Sequence, residues 1–147
     1  MKKYALIIIF ILSTFSSVTA QELKPYHIHN GKYEHFLNRD LINTNFKKIL
    51  KKPEKYQGKH INVRGFLVIN KSKALLFENE NEYQNHLNGL KVQKYKLLLT
   101  NEEAVFLQES CSNKKASIDG TFSVNLKEEP DGYNGTFSNI CIVPILY

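Results

Sequence analysis

Pro53-Glu54-Lys55-Tyr56-Gln57-Gly58-Lys59-His60-Ile61-Asn62-Val63-Arg64-Gly65-Phe66-Leu67 carries a helix stop, a turn and the opening of a strand in one short run. Proline has no amide hydrogen and its ring clashes with the preceding helical turn, so Pro53 ends any helix that reaches it from upstream. Gln57-Gly58 supplies the turn. From His60 to Asn70 the chain then alternates, with Ile61, Val63, Leu67 and Ile69 on one side and His60, Asn62 and Arg64 on the other. That period predicts a half-buried strand. Gly65 interrupts it where a bulge or sharp bend lets one long strand serve both sides of a closed sheet.

Upstream of Pro53, the apolar residues Ile42, Phe46, Ile49 and Leu50 recur at i, i+4, i+7 and i+8, which predicts a helix from Asp40 to the proline. Lys47, Lys48, Lys51 and Lys52 crowd its last turns, where cations complement the helix dipole. With Lys55 and Lys59 they also form a basic patch, so a solvated helix end and a specific anion surface are both open readings. Downstream, Asn70 to Ser72 reads as a polar turn and Lys73 to Glu78 as a second strand. Glu78 to Gly89 reads as a polar connection with one helical turn. A third strand is expected over Leu90 to Thr100, with Tyr95, Leu97 and Leu99 facing one way and Lys94, Lys96 and Leu98 the other.

Thr100-Asn101-Glu102-Glu103 has the capping-box form, a hydroxyl followed three residues later by a carboxylate, and starts a helix. Ala104, Leu107 and Cys111 share its inner face, and Ser112-Asn113 closes it. Ala116 to Val124 alternates again, with Ala116, Ile118, Gly120, Phe122 and Val124 on one face. Pro130-Asp131-Gly132 marks a turn. In a last strand, Gly135 to Val143, the residues Phe137, Ile140 and Ile142 fall in phase only with a bulge near Ser138-Asn139.

Strand, strand, strand, helix, strand, strand is the order of an OB-fold, a five-stranded Greek-key barrel. The expectation is a mainly β protein with flanking helices, built as a five-stranded OB-like antiparallel barrel preceded by an N-terminal helix. A sandwich, the structural alternative, needs about seven strands. The connecting helix of such a barrel plugs its bottom, so an inward Cys111 could meet Cys141 of the final strand.

Met1 to Ala20 opens with Lys2 and Lys3, runs apolar from Ala5 to Leu12 and ends Val18-Thr19-Ala20. It has the form of a signal peptide cleaved after Ala20, too short for a permanent span. The predicted organisation is a signal peptide over 1–20, an N-terminal extension over 21–39 and a barrel domain over 40–147. Cleavage would leave 18 basic and 14 acidic residues, a net charge of +4. A charge so mild permits an anionic partner without demanding one. Cys111 and Cys141 are the two cysteines of the chain. In an oxidising compartment two cysteines read as one disulfide, with two buried thiols as the alternative.

Pro53 to Leu67, Asp119-Gly120-Thr121-Phe122 and Gly132-Tyr133-Asn134-Gly135-Thr136-Phe137-Ser138-Asn139-Ile140 together carry a resemblance. The chain resembles a group of small exported bacterial proteins of unassigned function with an OB-like fold. It departs from their pattern at Asp119, where they carry Glu, and at Tyr133, where they carry His. The resemblance implies a barrel and no established activity.

Little in the chain points to catalysis. No nucleophile-elbow pattern is present, and the histidines have no evident orienting acid in sequence. Arg39 and Arg64 are the only arginines, and Glu78, Glu80 and Glu82 read as a solvated loop rather than paired carboxylates around a metal. His27, His29 and His35 contain an H-x-H pair but no completing ligand. No cofactor or metal is expected.

OB barrels bind ligands on the face of their second and third strands, flanked by the loops joining strands one to two and four to five. Lys71, Lys73, Lys94, Lys96 and Tyr133 are the candidates there. The leading expectation is an exported, periplasmic or secreted, non-enzymatic binding domain of the cell envelope, with a protein, a glycan or an anionic polymer as ligand. An inhibitor or immunity-type protein that blocks a partner enzyme is the alternative, and a metal-dependent hydrolase the third.

Overall fold

The computed structural model describes residues 26–27, 41–71, 73–125 and 132–145. The expected signal peptide and most of the N-terminal extension lie outside them. No helix among the described residues is long and apolar enough to cross a membrane.

Seven strands form one sheet. In chain order the elements are β1 (Tyr26–His27), β2 (Ile42–Asn43), α1 (Phe46–Lys51), a 3-10 turn over Pro53–Tyr56, β3 (His60–Asn70), β4 (Lys73–Phe77), α2 (Glu80–Leu87), β5 (Lys94–Leu97), α3 (Asn101–Cys111), β6 (Lys114–Val124) and β7 (Gly135–Pro144). Five of the strands close into a barrel: β3 pairs with β4 and β6, β4 with β5, β5 with β7, and β7 with β6. The OB-like order is therefore present. Strand directions cannot alternate all the way around a ring with an odd number of members, so one pair must run parallel. Here it is β5 with β7, which pair Tyr95 with Gly135 and Leu97 with Phe137. The two short strands are additions, β1 antiparallel on β7 and β2 parallel on β3.

β3 occupies the predicted span and divides its pairing as expected. Residues His60 to Leu67 face β6, and Phe66 to Asn70 face β4. Gly65 stands where the strand passes from one partner to the other, without a bulge. A Cβ built there would lie 2.4 Å from the carbonyl oxygen of Phe77 and 3.0 Å from Leu76. Close approach of β4, rather than an unusual backbone angle, is what requires glycine. The bulge predicted in the last strand is present: the register slips between Asp119 and Thr121, and Asn139 takes a positive φ of 51°.

Inside the barrel, Tyr95, Phe122 and Phe137 pack edge-on and tilted, with centroids 5.4 to 5.7 Å apart. Phe46 of α1 stacks on Tyr95 at 4.8 Å and caps one end of the barrel. The other end is closed by α3, through Ala104, Leu107 and Cys111, all buried as the sequence predicts. Its capping box is formed: Thr100 Oγ1 accepts from the Glu103 amide, and a Glu103 carboxylate oxygen accepts from the Thr100 amide at 2.7 Å. Ser112 then ties the helix end to β3 by accepting from the Ile69 amide and donating to the Ile69 carbonyl.

Three element boundaries differ from the sequence reading. The helix expected from Asp40 begins only at Phe46, because Ile42 pairs with Ile61 as a strand and Asn45 caps the helix by accepting from the Lys48 amide. The third strand spans only Lys94–Leu97. Val92 is instead buried in a second apolar cluster on the outside of the barrel, with Phe66, Val68 and Phe77. The connection after Phe77 is a full eight-residue helix, α2, capped by Asn79, which accepts from the Glu82 amide. Tyr83 of α2 packs on Phe66 and Phe77 at 5.8 and 5.3 Å, covering the outer face of β3 and β4.

The expected disulfide is a correction. Cys111 and Cys141 are both free thiols. Cys111 is fully buried in the barrel core. Cys141 lies between the buried Ile140 and Ile142, so strand alternation turns it to the outer face beside Asp119. The barrel wall separates the two.

Gly65→Ala should destabilise the fold by about 1 to 3 kcal/mol, the range for forcing volume into a packed site, read as a shift in urea midpoint without a change in slope. A substitution that leaves the midpoint in place would refute the close-approach account. In protein unfolded without reductant, alkylation should modify both Cys111 and Cys141. In the native state Cys141 should react slowly, since burial and then the Asp119 charge push its thiol up to about 11. The alkylation rate should keep climbing well above pH 9 instead of levelling there as for an ordinary thiol.

Candidate ligand face on β4 and β5

Alternation along β5 decides this site. Tyr95 and Leu97 point into the barrel, so Lys94 and Lys96 point out. Lys96 stands opposite Leu75, and Lys94 opposite Phe77, on β4. Lys73, two residues before Leu75, presents its side chain on the same outer face.

The start of β7 is fastened to this strand. Asn134 accepts from the Lys94 amide at 3.0 Å through its side chain, and its own amide donates to the Lys94 carbonyl at 2.8 Å. Asn125 completes the loop base by donating from Nδ2 to the Tyr133 carbonyl at 3.2 Å. These bonds set Tyr133 beside β5, where Lys96 Nζ lies 5.3 Å from the centre of its ring, a cation–π contact.

Lys73, Leu75, His86, Lys94, Lys96 and Tyr133 together line one cavity of about 170 Å³. Four of the five residues expected to form a ligand face are thus brought together. Lys71 is not among them. It occupies the exposed turn between β3 and β4 with a positive φ of 53°.

His86 is the residue that sequence reading missed. It comes from α2, and its ring lies 5.4 Å from that of Phe77. Its pKa is lowered, first by burial and then by the Lys94 charge, so it is neutral at pH 7. The pattern Asn79-x-x-Glu82, a polar cap followed by a carboxylate, with Tyr83, His86 and Leu87 at i, i+3 and i+4, was the available signal. Lys94 is unusual for a lysine in being 7 % exposed, and its charge is felt by His86. Among the described residues the cavity therefore holds three lysines, one titratable imidazole, one phenol ring and no acidic lining residue. It can neutralise an anion and cover one face of a flat group.

The other chemistry-bearing groups do not converge in this way. Glu80 and Glu82 sit in the first turn of α2, where carboxylates favour the positive end of the helix dipole. Arg64, Glu78 and Lys115 line a separate cavity with Gly65 and Ile145. On the outer wall of β3 and β6, Asn62 Nδ2 donates to Asp119 Oδ1 and to Ser117 Oγ. Among the described residues no three His, Cys, Asp or Glu side chains are grouped to hold a metal. His27 lies in β1, and His29 and His35 fall outside the described residues.

No protein-family model matches the chain, and no curated protein matches it. A solved structure described as "putative aspartyl-tRNA synthetase from Leishmania major Friedlin" is similar over 81 % of this chain, at 10 % identity and a TM-score of 0.43. The matched part is 22 % of that protein's length.

Proposed function

We propose that this chain is an exported, non-enzymatic OB-like binding domain that takes an anionic ligand on the outer face of β4 and β5. The observation that carries the reading is the convergence of Lys73, Lys94, Lys96, His86 and Tyr133 on one cavity, with no acidic lining residue among the described residues. Export rests on the charged, apolar and small-residue pattern of Met1 to Ala20. A disulfide forms no part of this reading.

A second reading, a protein that inhibits a partner enzyme by surface complementarity, draws on α3. Its outward residues Val105 and Phe106 are 65 % and 70 % exposed, with Leu98 also exposed nearby in sequence. Adjacent apolar side chains with this much exposed surface suit a protein contact. Recovery of one stoichiometric protein partner, lost on Phe106→Ser and kept on Lys94→Gln, would favour it.

Tripolyphosphate is a suitable probe for the first reading. Lys94→Gln with Lys96→Gln should weaken its binding about tenfold or more in calorimetry, equivalent to at least about 1.4 kcal/mol. Unchanged affinity in the double variant would sink the proposal. The binding should also depend on pH through His86, which faces Lys73, Lys94, Lys96 and Tyr133 across the cavity. A bound anion favours the imidazolium and raises a pKa that the free protein holds low. The complex then takes up a proton, so affinity should rise as pH falls from 7 towards 5 and flatten once the free form is itself protonated. His86→Gln should abolish that rise while leaving affinity at pH 8 nearly unchanged.

A further inference from the structure

A second cavity, of about 350 Å³, lies where α1 ends, and Lys48, Lys51, Lys52 and Lys55 line it against a wall of Ile42 and Tyr56. The wall belongs to the barrel. Tyr56 is part of the main core cluster, and Ile42 packs against that cluster. Thr44 fixes the phenol further, its hydroxyl donating to the Tyr56 oxygen at 3.1 Å.

The local fold gathers the four cations. Lys48, Lys51 and Lys52 follow at i, i+3 and i+4, the spacing that shares one side of a helix. The Lys52 amide donates to the Lys48 carbonyl at 3.3 Å as α1 ends. Pro53 then leads the chain into the 3-10 turn, where the Lys55 amide donates to the Lys52 carbonyl at 3.2 Å. That bond returns Lys55 to the wall, with Nζ 5.9 Å from the centre of the Tyr56 ring. Complementing the helix dipole accounts for Lys48 and Lys51 in the last turn of α1. It does not reach Lys55, which lies beyond the helix in the next turn.

The number and type of these groups select a ligand class. Four ammonium groups around one cavity repel one another, and a single carboxylate would leave three of the charges unmatched. An anion with several charges a few bonds apart neutralises the set. Lysine suits phosphate oxygens as a point charge with three donors on a flexible stem, whereas the planar two-pronged fit to a carboxylate belongs to arginine. The volume falls within the range of small-ligand sites.

We propose that this cavity is an anion site separate from the β4–β5 face, and that it takes a group carrying two or more neighbouring phosphates. A soluble oligophosphate and the headgroups of an anionic lipid surface share that chemistry.

The test uses the full chain, with tripolyphosphate in calorimetry and with phosphatidylcholine vesicles, with or without cardiolipin, in flotation. Tripolyphosphate should bind with two equivalents. Lys94→Gln with Lys96→Gln should weaken the tighter one, and Lys52→Gln with Lys55→Gln the other, each about tenfold or more. Lys47→Gln with Lys59→Gln removes the same charge from lysines that do not line the cavity, and should change either equivalent less than twofold. Lys47, Lys52, Lys55 and Lys59 are all exposed, so a thermal melt should show both of these variants folded.

Flotation separates the two sources. Recovery with cardiolipin vesicles that follows Lys52 and Lys55, and not Lys47 and Lys59, assigns the site to a lipid surface. Tripolyphosphate binding without such recovery assigns it to a soluble phosphate. Equal losses in the two exposed pairs would reduce the cavity to general charge attraction and overturn the proposal. A single tripolyphosphate equivalent that follows Lys94 and Lys96 alone, with no recovery on cardiolipin, overturns it too and leaves the β4–β5 reading standing. A single equivalent that follows Lys52 and Lys55 alone upholds this site and removes the β4–β5 reading instead.

Discussion

The parallel pairing of β5 with β7 is the constraint on which the rest of the molecule depends. A five-stranded ring needs one such pair, and the shortest barrel strand, four residues of β5, has to make it. So short a ladder is reinforced at its ends. The Asn134 bonds to both backbone groups of Lys94 hold one end, and the Leu98 amide donating to the Phe137 carbonyl at 2.9 Å holds the other. The same strand delivers Tyr95 to the aromatic core, where Phe46, Phe122 and Phe137 surround it. Closure, core and the lysine-bearing outer face are thus set by one register. A slip of one residue would turn Lys94 and Lys96 inward and Tyr95 out.

This coupling separates the two sides of the wall. Inside, Tyr95 is a neutral core group, its phenol pKa raised by burial and then by Glu78. Outside, one residue away in each direction, lysines face a cavity. The cysteines show the same rule. Cys111 belongs to the plug and Cys141 to the outer wall, so a bond between them would have to pass through the sheet. Each thiol is pushed up to about 11, chiefly by burial, which keeps both protonated and unreactive at neutral pH.

What was legible in the sequence follows from how local each signal is. β3 over His60–Asn70, the Thr100–Glu103 capping box, the alternation of β6 and the bulge at Asn139 all rest on nearest neighbours along the chain, and they stand as predicted. The phase that put Ile140 and Ile142 inside already placed Cys141 outside. The compartment argument for a disulfide overrode that parity. α2 was underestimated because its sequence is polar and its packing rests on two rings, Tyr83 and His86, so its stability comes from the cap at Asn79 and from docking on Phe66 and Phe77. His86 was missed with it. Val92 was assigned to a strand because its role, covering the outside of Phe66 and Val68, exists only once α2 is in place.

The β4–β5 cavity and a second basic cavity of about 350 Å³ beside α1, lined by Lys48, Lys51, Lys52 and Lys55, differ in what it costs to fix their charges. Lysine carries long, freely rotating stems, and ordering one on a ligand costs about 1 kcal/mol or more in rotamer entropy. In the β4–β5 cavity much of that ordering precedes binding: Lys94 is buried opposite Phe77, and Lys96 lies across the ring of Tyr133. Lys48, Lys51, Lys52 and Lys55 are exposed, and of the four Lys55 alone lies over a ring, that of Tyr56, at 5.9 Å. A short anion should therefore prefer the first cavity, where the charges are already placed. The physical distinction between a packed and a solvated lysine thus sets the two cavities apart.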